Sequence, residues 1–255
     1  MSRIVASHVS KRYEGAAGVA ATRALADFSL TVNDNEILCV VGPSGCGKST
    51  FLNLVAGFIH PSQGDLTVNG KPVGGPGPDR GVVFQEDALF PWLTAVENVA
   101  FGLELRSVKR SVARERAAEA LKLVGLEGFE EHLPKALSGG MKQRVAISRV
   151  LVNDPDVMLL DEPFSALDTF TRTSLQGELL RIWQHHKRTF VFITHNVEEA
   201  VLLGNRVAVM AKTSEGGTLV REIEIQLPRP RDTTSAEFND YKRQILTALN
   251  MESKL

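Results

Sequence analysis

Five apolar residues, Ile37-Leu-Cys-Val-Val41, run directly into Gly42-Pro43-Ser44-Gly45-Cys46-Gly47-Lys48-Ser49-Thr50. The second segment fits the pattern G-x-x-x-x-G-K-[ST], and the first supplies the strand that such a phosphate loop must follow. Glycines let the backbone curl so that several N–H groups face phosphate oxygens. A helix starting near Lys48 adds the positive end of its dipole. Lys48 is placed to reach β- and γ-phosphates, and the Ser49 hydroxyl to take a position on Mg²⁺. A glycine-rich turn with a chance lysine would need no strand before it. The expectation is a chain that binds a nucleoside triphosphate together with Mg²⁺.

Composition narrows the class. The 255 residues leave room for one large or two small domains with a sizeable core, and the formal net charge of −1 sets up no global field toward nucleic acid or anionic lipid. No nucleic-acid partner is therefore expected. No apolar run approaches the roughly 18–20 residues that cross a bilayer, and the N-terminal residues lack the apolar region of a signal peptide. The two cysteines do not read as a disulfide framework. Cys46, beside Lys48 and a helix N-terminus, is expected to have a lowered thiol pKa, to alkylate readily and to be protected by bound nucleotide.

Short apolar runs at Ile37–Val41, Val157–Leu160, Thr189–Ile193 and Val207–Met210 suit strands buried on both faces of a mostly parallel sheet. Ile4–Val9, Phe28–Val32 and Leu66–Val68, with the Asn69-Gly70 turn signal, read as a separate strand-rich region. Between about Leu93 and Asp154 the pattern turns helical, with amphipathic segments at Ser111–Val124 and Gly140–Val152. The expected fold is α/β: a phosphate-loop (RecA-like) core with an antiparallel β region and an inserted α-helical subdomain. Residues 1–92 and 155–227 are assigned to the core, 93–154 to the helical subdomain, and 228–255 to a tail with a short helix near Ala236–Asn250.

Two further motifs carry chemistry. Val157-Met-Leu-Leu-Asp161-Glu162 is a strand ending in two carboxylates, suited to holding Mg²⁺ through Asp161 and to orienting or deprotonating a water through Glu162. Leu137-Ser138-Gly139-Gly140 stands before a helix and some twenty residues ahead of the carboxylates, a second candidate anion site. With Gln85 after a strand, Ser165-Ala-Leu-Asp168 and His195 after Phe-Val-Phe-Ile-Thr, the ordered set resembles the ATP-binding-cassette ATPases over Ile4 to Met210. The resemblance implies that Tyr13 stacks on adenine, that Gln85 touches Mg²⁺ or water, that Glu162 is the catalytic base and that His195 contacts the γ-phosphate. It also implies a head-to-tail pair of cassettes in which Ser138, Gly139 and Gly140 cap the partner's ATP and Asp168 helps join the two sites. ATP would then act as the glue of a closed dimer. Met141 and Asn196 depart from the family's frequent glutamine and aspartate.

A DNA-clamping cassette would need a long coiled coil between phosphate loop and signature, and a ribosome-acting one usually has two cassettes. The remaining reading is a transporter subunit whose membrane-spanning parts are separate permease chains. Phe90, Pro91, Trp92 and Leu93 resemble the groove that receives a permease helix, although core packing would also explain them. Glu86–Trp92, Ala100–Leu103 and Pro228-Arg-Pro-Arg231 are similar to importers of nitrate, sulfonate and taurine, which work with a solute-binding protein. The resemblance implies a peripheral protein on the cytoplasmic face of the bacterial inner membrane. A soluble assembly or remodelling ATPase and an exporter subunit remain alternatives.

Overall fold

The computed structural model describes residues 4–14, 21–85, 88–186 and 188–251. In chain order the elements begin β1 (Ile4–Tyr13), β2 (Thr22–Val32), β3 (Ile37–Val41), α1 (Lys48–Ala56), β4 (Gln63–Val68), β5 (Lys71–Pro72) and β6 (Arg80–Val83). Next come α2 (Ala95–Leu105), α3 (Arg110–Leu123), α4 (Gly139–Leu151), β7 (Val157–Asp161) and α5 (Thr169–His186). The chain finishes with β8 (Thr189–Ile193), α6 (Val197–Leu203), β9 (Arg206–Thr213), β10 (Gly216–Glu224) and α7 (Ala236–Met251). It divides into two compact units, Met1–Gly77 with Arg188–Leu255, and Pro78–Lys187.

In the first unit the strand order is β5-β4-β1-β2-β10-β9-β3-β8. β3 and β8 are buried along their whole length, as continuous apolar runs demand. β3 pairs parallel with β8 on one side and β9 on the other. The remaining β region is antiparallel except for the parallel contact of Gly217 with Leu25. Asn69 and Gly70 both have positive φ, 53° and 72°, and join β4 to β5, as a two-residue hairpin requires. α1 covers this sheet, with Phe51 and Phe28 in ring contact at 5.0 Å.

In the second unit β6 and β7 form a parallel pair in the register Val83↔Leu160. α2, α3 and α4 pack on one another, and α4 also lies against β6. α2 opens on a capping box in which Thr94 Oγ1 accepts from the Glu97 backbone and the Glu97 carboxylate accepts from the Thr94 backbone. α3 turns Ala113, Ala117, Ala120 and Leu121 inward, and α4 turns Val145, Ile147 and Val150. No described helix is long and apolar enough to cross a membrane.

Cys39, at the centre of β3, is fully buried, and that burial pushes its thiol up from 9.0 to about 12. A raised thiol pKa adds stability that is complete below pH 9 and is lost as pH rises toward 12. Chemical denaturation should therefore show stability falling above pH 9 by up to about 1.4 kcal/mol per pH unit from this group. Cys39→Ala should remove that component, and an unchanged slope in the variant would refute it.

Candidate active site

The register of β3 against its neighbours decides what meets at its carboxyl end. Val40 lies opposite Ile193 of β8 and Ala208 of β9. The loop from Gly42, the residues after Ile193 and those at the end of β9 therefore leave the sheet at one edge, where ligands of parallel sheets bind. Gly47 holds φ at 95° as it opens α1, and a Cβ there would lie 2.5 Å from Leu25 Cδ2 and 2.7 Å from the Ala24 carbonyl oxygen. Only glycine fits that position.

Lys48 is 9% exposed, and its ammonium donates to the Gly42 and Pro43 carbonyls at 2.8 and 2.9 Å. Cys46 Sγ lies 3.9 Å from the same Nζ. The charge is thus held at the centre of the loop by the loop's own carbonyls. A cavity of about 660 Å³ opens beside it, lined by Tyr13, Arg23, Gly45, Lys48, Ser49 and Lys212 among others. That volume suits a nucleotide-sized ligand. Tyr13 ends β1 with its ring 39% exposed and the Lys11 ammonium 5.3 Å from the ring centre.

Cys46 corrects an expectation. Its side chain is 0% exposed, so a thiol shielded by the loop replaces the readily alkylated one.

His195 follows β8 and is exposed, between two residues that are held. Thr194 Oγ1 donates to Glu199 Oε2 at 2.7 Å and accepts from the Asn196 backbone N–H at 3.0 Å. Asn196 Oδ1 caps α6 by accepting from the N–H groups of Glu198 and Glu199. Asparagine here does the capping that aspartate would do.

The second unit repeats the arrangement on a smaller scale. Gln85 lies two residues beyond Val83, and Asp161 and Glu162 directly beyond Leu160, so the three leave the carboxyl ends of neighbouring parallel strands. Glu162 has φ 46°, the left-handed region that non-glycine residues rarely occupy. Its carbonyl accepts from both the N–H and the hydroxyl of Ser165. Ser138 caps α4, its Oγ accepting from the Met141 N–H at 3.3 Å, and Ser138 and Gly139 are exposed. Asp168 caps α5 by accepting from Phe170 and Thr171, and the Thr171 hydrogen bonds hold its carboxyl below the usual range.

Three supporting residues escaped the sequence reading. Lys212 joins the phosphate-loop cavity because β9 neighbours β3, a pairing that no local pattern announces. Asn98 is fully buried and donates to the carbonyls of Phe90, Leu93 and Thr94 while accepting from the Phe90 N–H. The signal for it was a lone amide on the apolar face of a helix with a Thr-x-x-Glu start. Gln143, 2% exposed, donates to the Phe84 carbonyl and so ties α4 to the residue before Gln85.

The ABC transporter family profile matches residues 25–165, more than half of the chain. The chain belongs to that family. It is therefore an ATP-binding cassette ATPase. An ABC transporter ATP-binding protein of Methanocaldococcus jannaschii is 52% identical over 230 residues, covering 90% of this chain and 85% of that protein. The taurine import ATP-binding protein TauB of Pseudomonas putida is 46% identical over 225 residues, covering 88% and 84%. The aliphatic sulfonates import ATP-binding protein SsuB of Bacillus licheniformis is 44% identical over 225 residues, covering 88% and 86%. Among solved structures, a dimeric ATP-binding cassette in a post-hydrolysis state with ADP and Pi has a TM-score of 0.79 at 32% identity, covering 88% of this chain and all of that one.

Gly47→Ala should abolish nucleotide binding, since the loop cannot keep its path around a methyl group at φ 95°. Titration with a fluorescent ATP analogue checks this, and binding within about two-fold of the parent would contradict the close approach drawn here.

Proposed function

We propose that this ATPase is the energising subunit of an importer for small organic anions of the sulfonate or taurine type, coupled to membrane permease chains. The supporting observation is the near full-length similarity to sulfonate and taurine import proteins. ABC cassettes pair, and the exposed Ser138 and Gly139 are suited to capping ATP on a second cassette subunit. In this reading the protein lies on the cytoplasmic face of the membrane and meets the solute-binding protein only indirectly.

The roles follow the chemistry of each group. In the first unit, Lys48 and the phosphate-loop backbone from Gly42 to Thr50 bind phosphates, Tyr13 receives adenine, and His195 contacts the γ-phosphate. In the second, Glu162 orients and deprotonates the attacking water. Ser49 in the first unit, and Gln85 and Asp161 in the second, each offer an oxygen donor of the kind Mg²⁺ takes, and the ion when bound would neutralise charge on the phosphate oxygens. Phosphoryl transfer asks the protein mainly for position and compensating charge. A base on a backbone constrained at φ 46°, with its carbonyl fixed twice by Ser165, suits that demand.

For the permease, the candidate surface is the segment 90–93. Trp92 is 70% exposed, its ring 5.7 Å from Phe90, which in turn meets Phe101 at 4.6 Å and the Arg149 guanidinium at 5.6 Å. A large exposed indole beside a ring cluster fixed by Asn98 is suited to a helix-in-groove contact.

Glu162→Gln should cut ATP turnover by about 10²–10⁴ with nucleotide binding kept, the range for losing a general base. Near-parental turnover would remove Glu162 from that role. Affinity purification of the tagged full chain from detergent-solubilised membranes should recover a multi-spanning permease, and Trp92→Asp should lower that recovery. Recovery of soluble partners alone would overturn the importer reading while leaving the ATPase intact.

A further inference from the structure

The tail after β10 returns to the helix that begins beside His195. Arg231 is 8% exposed, and its guanidinium is fully engaged with backbone carbonyls. Nη1 donates to Val201 at 2.5 Å, to Gly204 at 2.6 Å and to Leu202 at 3.2 Å, all at the carboxyl end of α6. Nη2 and Nε donate to Ile225 and Leu227. Arg229 Nη2 adds a bond to the Leu203 carbonyl at 2.5 Å. Carbonyls of a last helical turn lack partners within the helix, and a cation is the group that best satisfies them. Two neighbouring guanidiniums are costly to bury, and burial together with the Arg229 charge pulls Arg231 down to about 10. A simple chain terminus would need neither.

The other end of α6 is fixed as tightly. Its N-cap is Asn196, the residue after His195, and Glu199 on its first turn is bonded to Thr194, the residue before His195. α7 packs along the same helix, where Lys242 and Glu198 pair at 2.8 Å. α6 is only seven residues long, and side-chain bonds hold both of its ends.

We infer that Arg229 and Arg231 are positioning residues for hydrolysis: they clamp the carboxyl end of α6 and so set the place of His195 at its amino end. This rests on the reading of His195 as the γ-phosphate contact. It gives the C-terminal segment a role in turnover rather than in nucleotide affinity, because the clamp touches α6 and not the phosphate loop. Any ligand or partner that displaced the segment would slow hydrolysis without releasing ATP.

The test is a double-mutant cycle on the full chain, combining Arg231→Ala with His195→Ala. Steady-state turnover, binding of a fluorescent ATP analogue and thermal unfolding are followed in each variant. Arg231→Ala should lower kcat about ten-fold while nucleotide Kd stays within about two-fold, the signature of a misplaced group rather than a lost binding contact. Arg231→Lys should restore part of the rate, since an ammonium reaches fewer of the carbonyls. In the His195→Ala background, Arg231→Ala should cost no further rate, because coupled residues are not additive. An undiminished effect in that background, or unchanged kcat in a folded Arg231→Ala protein, would overturn the clamp alone. Unchanged turnover in His195→Ala would overturn the reading of His195 and the clamp with it. If Arg231→Ala does not fold, the same cycle with Arg229→Ala, which removes the bond to the Leu203 carbonyl, decides the question by the same criteria.

Discussion

Parallel pairing at β3 is the constraint from which the first unit's chemistry follows. Parallel strands cannot be joined by a tight turn, so each carboxyl end feeds a loop that must leave the sheet on the same side. Val40 opposite Ile193 and Ala208 sets the carboxyl ends of three strands side by side. The first feeds the phosphate loop, the second carries His195, and β9 itself brings Lys212 to the cavity. The second unit applies the rule again with β6 and β7, placing Gln85 level with Asp161 and Glu162. Neither group requires a special loop fold to bring its members together, because strand register does so.

What could be read from the sequence follows from how local each signal is. The strands β3 and β8 were expected at Ile37–Val41 and Thr189–Ile193, and they occupy those residues. Their runs are apolar at every position because both faces are covered. α3 and α4 also lie within a residue of their expected bounds, since their apolar spacing is regular. β10 was not read, because Gly216-Gly217 looks like a turn and a register shift between Leu219 and Arg221 breaks its alternation. α5 carries a weaker signal: its first turn holds Phe170, 89% exposed, ahead of the buried Leu175 and Leu179. The phosphate loop and the carboxylate pair were legible because each is continuous in sequence. Gln143 and the arginine clamp were not, because each bonds backbone far along the chain, and Lys212 was not, because strand pairing brings it to the cavity.

A division of labour runs through both units. The groups suited to meeting ligand or partner are open: Ser49, Ser138, Gly139, Asp168 and His195 are exposed. The groups that hold them are closed: Asn98, Gln143, Thr194, Glu199 and Arg231 are all buried. A buried polar side chain left without a partner costs about 1–3 kcal/mol. A support that hydrogen-bonds a specific carbonyl or N–H therefore resists sliding in a way that an apolar contact of the same area does not. Position at the reacting atoms is what phosphoryl transfer demands, and these buried bonds are how the chain maintains it.

The same side chains also show why two departures from the family pattern are tolerable. Ser138, Asp168 and Asn196 each cap a helix in this chain, besides any role toward nucleotide. Capping needs only a short side-chain acceptor, and asparagine and aspartate serve about equally well. Asn196 in place of aspartate therefore leaves α6, and the ends of the His195 loop, as they would otherwise be. Met141 meets Ser138 through its backbone N–H, a donor common to every residue except proline. The helix start behind the signature is thus independent of the Met141 side chain. What methionine gives up is confined to polar contacts its side chain could have made outward, and the local fold that aims Ser138 and Gly139 is unaffected.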